Sequence, residues 1–142
     1  MKHLRLFESF KEEDIHYICK RYGIKNYTIN EDGSIDVNDV DLENINLTEL
    51  LLIFRNVSGY FRCSNNKLTS LEGCPESVGG DFNCSDDKLT SLEGCPKSVG
   101  GYFGCANNQL TTLEGCPRSV GGDFYCYENQ LTSLEGSPEK VG

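Results

Sequence analysis

A 21-residue repeat fills the C-terminal part of the chain and restricts how it can fold. One column of cysteines recurs at this interval: Cys63, Cys84, Cys105 and Cys126. A second column ends in a serine and is followed each time by proline: Cys74, Cys95, Cys116 and Ser137. Repeats of about 20 residues are typical of solenoids, in which each coil buries its apolar side against its neighbours. The spacing therefore predicts a repeat solenoid.

Each repeat contains one short segment with the alternation of a β-strand. Phe82 and Cys84 alternate with polar residues, which predicts a strand with one buried face. Leu89 and Leu92 follow and are expected to point inward from a turn, while Gly100 and the glycine after it permit a bend before the next strand. We therefore expect a parallel β-sheet on the concave side and extended turns on the convex side.

The chain divides into three predicted regions. Residues 61–142 form four 21-residue repeats, the last of them incomplete. Residues 36–60 keep the period in degenerate form, with Val57 matching Val78, and we interpret them as a capping repeat. Residues 1–35 are expected to form an N-terminal cap made of an α-helix at 10–22, begun by a capping box at Ser9, and a β-hairpin over 27–37.

The repeat motif Phe-x-Cys-x-x-Asn-x-Leu-x-x-Leu-Glu-Gly-Cys-Pro resembles the leucine-rich-repeat proteins of the short bacterial and phage type. This resemblance implies a scaffold that binds a partner and identifies no particular one. Asp87 departs from the motif, because the other three repeats have asparagine at this position. An amide both donates and accepts hydrogen bonds, whereas an ionised carboxylate only accepts.

The first residues resemble a second family. Met-Lys-His-Leu-Arg-Leu-Phe-Glu is similar to the N-terminal tags that carry proteins into maturing phage capsids. In that family a protease cuts after a hydrophobic-x-Glu sequence, which Leu6-Phe7-Glu8 fits. A capsid-packaged or structural phage-type protein is therefore the alternative function, and an ordinary amphipathic start is the alternative interpretation of the segment.

The charge of the chain excludes some classes of partner. Asp and Glu number 22 against 13 Lys and Arg, a net charge of −9. Such a surface does not favour nucleic acid or an anionic membrane. The longest apolar run, 50–54, is too short for a membrane span or a signal-peptide core. We expect a cytoplasmic protein, associated with virions if it is phage-encoded.

The eight cysteines are expected to pack as apolar core residues. Seven of them lie in the two columns and repeat once per coil within each column, no Cys-x-x-Cys occurs, and both histidines precede the repeats. Disulfides and a metal site are the alternatives. No spacing supports a catalytic constellation, so we predict no enzyme, no catalytic residue, no metal and no cofactor. A ligase-type enzyme would need a further domain.

The outward positions of the predicted sheet form the candidate binding surface. Tyrosines at its C-terminal end surround small residues, a pattern typical of anchors at protein interfaces, although tyrosine is also a good strand former. The predicted partner-binding residues are Tyr102, Tyr125, Tyr127, Tyr60, Arg62, Asp81 and Asp123. Arg62 is expected to pair with Asp41. We expect a protein partner with a basic patch, and end-to-end self-association through the last coil.

Overall fold

The structure is a computed structural model that describes residues 11–142, and it is a parallel β-solenoid with one short helix. The predicted cleavage site at Leu6-Phe7-Glu8 and the capping residue Ser9 lie outside the described residues. The N-terminal region contains helix α1 (Glu12–Arg21) and strands β1 (Tyr27–Ile29) and β2 (Ile35–Val37). The predicted repeat solenoid with an N-terminal helix and hairpin is confirmed.

Two sheets form the sides of the solenoid. The front sheet has five strands, all parallel: β3 (Val40–Asp41), β5 (Phe61–Arg62), β7 (Phe82–Asn83), β9 (Phe103–Gly104) and β11 (Phe124–Tyr125). The back sheet has seven, namely β1, β2, β4 (Phe54–Val57), β6 (Ser77–Val78), β8 (Ser98–Val99), β10 (Ser119–Val120) and β12 (Lys140–Val141). The apolar core lies between the two sheets.

The front sheet stacks equivalent residues of successive coils. Phe61 pairs with Phe82, and Phe82 with Phe103, each one repeat further along the chain. Their rings are fully buried and lie nearly parallel, with centroids 5.5 Å apart. This column confirms the predicted strand register. Cys63, Cys84 and Cys105 behind it are also buried, as core packing predicts, whereas Cys126 is partly buried, and all eight cysteines are free thiols.

The side opposite the front sheet, where extended turns are expected, forms a second parallel sheet of short extended strands. Val78 pairs with Val99, and the strands are only two residues long. The coils approach closely here because of glycine: a Cβ on Gly100 would lie 2.1 Å from the carbonyl oxygen of Gly79. Each of these back strands is a Ser-Val pair followed by two glycines, so no alternation of apolar and polar residues marks it in the sequence.

The N-terminal cap joins the back sheet directly. Strands β1 and β2 form the predicted antiparallel hairpin, and β2 then pairs in parallel with β4. Helix α1 begins at Glu12, two residues later than predicted, because Asp14 accepts a hydrogen bond from the Lys11 amide at 2.9 Å and thereby caps it. Ile15, Ile18 and Cys19 face the core.

Asparagine side chains join successive coils next to the front sheet. The Nδ2 group of Asn66 donates to the carbonyl of Leu42 at 2.7 Å and to that of Cys63 at 3.0 Å, while its Oδ1 atom accepts from the Leu47 amide at 3.0 Å. Asn108 and Asn129 repeat this arrangement. Each amide therefore satisfies buried backbone groups of two coils at once.

Candidate functional site

The front face, defined as the outward positions of the front sheet, holds all seven predicted partner-binding residues. Register pairs Arg62 with Asn83, and Asn83 with Gly104, whose next neighbour is Tyr125. Tyr60 and Tyr102 lie one residue before their strands, at equivalent positions two repeats apart. The face therefore has two separate aromatic groups, one around Tyr60 and one at the C-terminal end.

The C-terminal group is a tyrosine cluster made of Tyr102, Tyr125 and Tyr127. The ring centroids of Tyr102 and Tyr125 are 5.8 Å apart with an interplanar angle of 69°, and those of Tyr125 and Tyr127 are 6.5 Å apart at 80°. Edge-to-face contacts of this kind are favourable. Tyr125 is 41% exposed and Tyr127 is 65% exposed. The cluster is thus a continuous aromatic surface that faces solvent.

Small residues let the cluster form. Gly104 and Ala106 lie beneath it and are buried, and a Cβ on Gly104 would lie 3.0 Å from Oδ1 of Asn83. Asn83 donates from Nδ2 to the hydroxyl of Tyr102 at 3.3 Å, which fixes the outer end of that ring. The contact between Asn83 and Tyr102 was not predicted, although the two residues occupy neighbouring strands and adjacent columns.

Two predicted carboxylates hold the cluster in place. Asp81 accepts a hydrogen bond from the Tyr102 amide at 2.8 Å, and Asp123 accepts one from the Tyr125 hydroxyl at 2.9 Å. The bond to Asp123 raises the pKa of Tyr125, because ionising the phenol would place two negative charges together. These aspartates therefore bring negative charge to the rim of the cluster and also orient its rings.

The other group pairs a tyrosine with an arginine. The guanidinium carbon of Arg62 lies 4.1 Å from the ring centroid of Tyr60, a cation–π contact. Arg62 and Asp41 are cross-strand partners, as predicted, but within residues 11–142 no ion pair joins their side chains, and Asp41 accepts from the Glu43 amide at 3.1 Å. Tyr60 is two residues from Arg62 on the same side of the strand and offers a planar surface that the prediction did not consider.

Asp87 departs from the repeat motif, which has asparagine at this position in the other three repeats, and the sequence did not predict what this change does to the hydrogen bonds. Oδ1 of Asp87 accepts from the Leu68 amide at 3.0 Å, as the asparagines do, but its buried Oδ2 atom has no partner. Burial raises the pKa of Asp87 to about 7. When protonated, Asp87 carries an O–H donor where asparagine supplies an N–H donor in the other coils.

An open groove of about 880 Å³ runs along the back sheet. Serine hydroxyls and glycine backbone line most of it, including Ser77, Ser98 and Ser119. It follows from the close stacking of glycines and brings together no group of titratable side chains beyond Glu139 and Lys140 at its end. Within residues 11–142, no three or more side chains of His, Cys, Asp or Glu are grouped to hold a metal ion.

The fold and the site define a repeat solenoid whose front face carries an exposed aromatic cluster. The chain matches no model of a known protein family, and no curated protein or solved structure is significantly similar to it. In the part of the chain that the structure describes, no helix has the length and apolar character needed to cross a membrane.

Proposed function

We propose that this protein is a non-enzymatic binding module of the leucine-rich-repeat class, which binds another protein through its front face. The observation that carries the proposal is the tyrosine cluster, in which two of three rings are exposed. Exposed tyrosines around small residues supply large, rigid contact surfaces at little cost in side-chain entropy.

The charge of the face selects the kind of partner. Five carboxylates occupy outward positions of the front sheet and one cation accompanies them, Arg62; the carboxylates are Asp39, Asp41, Glu43, Asp81 and Asp123. Complementary charge accelerates association and orients the partner. A protein with a basic patch is therefore the partner that fits, whereas nucleic acid and anionic membranes do not.

The experiment compares the wild type with a variant in which Tyr102, Tyr125 and Tyr127 are changed to Ser. Each protein is used to capture partners from lysate of the source cells, and the affinity of any captured protein is then measured with purified components. Tyr17→Ser is the matched control, because Tyr17 is 63% exposed on helix α1, away from the front face. The proposal requires a partner that binds the wild type and the control and loses affinity for the triple variant.

A structural, capsid-packaged role is the second candidate, and Leu6-Phe7-Glu8 is the observation that favours it. The solenoid would then act as a rigid particle component, and the protein would be found in virions rather than only in the cytoplasm. N-terminal sequencing of the protein from its native source tests this role. A mature chain beginning at residue 9 supports it, and an intact Met1 in purified particles rejects it.

A further inference from the structure

The 21-residue repeat allows one coil of the front face to be compared with another. Tyr60 and Tyr102 occupy the same position two repeats apart, and the position of Arg62 corresponds to Gly104. Both tyrosines are held in the same way, since the Tyr60 amide donates to Asp39 at 3.0 Å and the Tyr102 amide donates to Asp81 at 2.8 Å. The two coils therefore present an aromatic ring on equivalent supports.

The coils differ in whether the chain itself supplies a cation. At Tyr60 the Arg62 guanidinium lies over the ring, with its central carbon 4.1 Å from the centroid. At Tyr102 the equivalent residue is glycine, and neither Tyr125 nor Tyr127 has a cation over its ring among the contacts of the described residues. The coil with the larger aromatic surface is thus the one without its own arginine.

Carboxylates are available beside this surface. Asp81 uses Oδ1 to accept from the Tyr102 amide, and Asp123 uses Oδ2 to accept from the Tyr125 hydroxyl. An ionised carboxylate has two oxygens and about four acceptor sites. Each aspartate can therefore also accept from an N–H group placed against the rings, and a guanidinium offers five such donors around a flat face.

We propose that the tyrosine cluster is a binding site for an arginine side chain of the partner, which stacks on an exposed ring as Arg62 stacks on Tyr60 and donates to Asp81 or Asp123. This assignment rests on the proposed function and names the group that the face recognises. A planar guanidinium fits it better than an ammonium, because only the guanidinium stacks and donates along its edge at the same time.

The test uses three extended peptides of one sequence that differ only in carrying arginine, lysine or citrulline at the same positions. Citrulline keeps the planar shape and removes the charge, whereas lysine keeps the charge and removes the plane. We expect the arginine peptide to bind the wild-type chain at least fivefold more tightly than the lysine peptide and at least tenfold more tightly than the citrulline peptide. Affinity is measured by calorimetry or fluorescence anisotropy at fixed ionic strength.

Two variants locate the site. Gly104→Arg places an arginine where Arg62 lies two coils earlier, and the same outward position carries Arg62, Asn83 or Tyr125 in other coils. We expect the introduced arginine to occupy the tyrosine cluster itself and so to weaken binding of the arginine peptide at least fivefold. Gly104→Asn is the matched control for adding a side chain at this position and should weaken binding less. Unfolding curves of both variants verify that they are folded.

The outcomes separate this inference from the proposed function. Equal affinity for the arginine and lysine peptides, or an affinity that Gly104→Arg leaves unchanged, overturns the arginine site. A protein partner that still requires the tyrosine cluster would then leave the proposed function standing. If the captured partner binds the triple serine variant as tightly as the wild type, the proposed function itself is rejected.

Discussion

Oδ1 of Asp87 accepts a hydrogen bond from the amide of Leu68 at 3.0 Å, while Oδ2 of the same carboxyl group is buried and has no partner. In the next coil the equivalent Asn108 donates from Nδ2 to the carbonyl of Cys84 at 3.0 Å. A carboxylate at this position faces backbone acceptors and needs a proton in order to donate. This coil therefore has a titratable side chain where the neighbouring coils have the amide of Asn66 or Asn108.

Asp87→Asn should stabilise the protein at neutral and alkaline pH. The folded state raises the pKa of Asp87 from 3.8 to about 7, so its protonated form favours folding. The stability that this proton contributes is complete below about pH 4 and is lost as the pH rises through about 7. Urea unfolding at pH 8 should give the variant about 1–3 kcal/mol more stability than the wild type, the size of one satisfied buried polar group.

The matched control for this prediction is Asn108→Asp, which places the same carboxyl group in the next coil. It should lose stability between pH 5 and pH 8 as the wild type does, and to a greater extent, while Asp87→Asn should lose less than the wild type. If the wild type and Asp87→Asn show the same dependence of unfolding free energy on pH, Asp87 is not the titrating group.

Gly100→Ala should destabilise the solenoid strongly. A Cβ at this position would lie 2.1 Å from the carbonyl oxygen of Gly79, which is backbone and moves only if two coils separate. We expect a loss of about 3 kcal/mol, at the upper end for an overpacked site. Ser98→Ala, at an exposed position of the same sheet, is the control and should change thermal stability little. A Gly100→Ala protein as stable as the wild type would contradict the close stacking of the back sheet.

The thiols should be protected from alkylation until the chain unfolds. Burial raises the pKa of Cys63 and Cys84 well above the usual range, and that of Cys116 to about 11. Thiolate is the reactive form, so iodoacetamide at pH 8 should modify the native protein very slowly. Mass spectrometry should then show eight modifications in denaturant without reductant. Fewer modifications under those conditions would indicate disulfides instead.

The chain as it stands should self-associate through its last coil. Leu134 is 68% exposed and Val141 is 51% exposed there, whereas the equivalent Leu113 and Val120 one repeat earlier are buried. Strand β11 also has a neighbour on one side only. Sedimentation at several concentrations should show a dimer that Leu134→Ser weakens. A species that remains monomeric at every concentration would reject this association.

Prediction from the sequence was most accurate where the same residue type recurs at one position of successive repeats. Phe61, Phe82 and Phe103 are identical residues at one spacing, so the strand register of the front sheet could be predicted from the period alone. The back sheet could not, because its strands within the repeats carry a single apolar residue followed by glycines and depend on the approach of glycine backbones, which leaves no alternation to detect.

The sequence predicted which residues lie on the candidate site, but only some of the contacts between their side chains. The columns placed Tyr102 and Tyr125 on neighbouring strands, and the structure brings their rings together. Residue spacing does not predict whether Arg62 contacts a carboxylate or an aromatic ring, because that contact depends on side-chain geometry within one strand. The hydrogen bonds by which Asp81 and Asp123 support the rings are likewise contacts that residue spacing does not specify.

The most direct test of the central claim is the affinity of a captured partner for the wild type and for the variant with Tyr102, Tyr125 and Tyr127 changed to Ser. We predict a loss of at least thirtyfold, about 2 kcal/mol, as at a typical hot spot, in a triple variant that still unfolds cooperatively, and an unchanged affinity for Tyr17→Ser. An affinity of the triple variant equal to that of the wild type would contradict a binding role for this face.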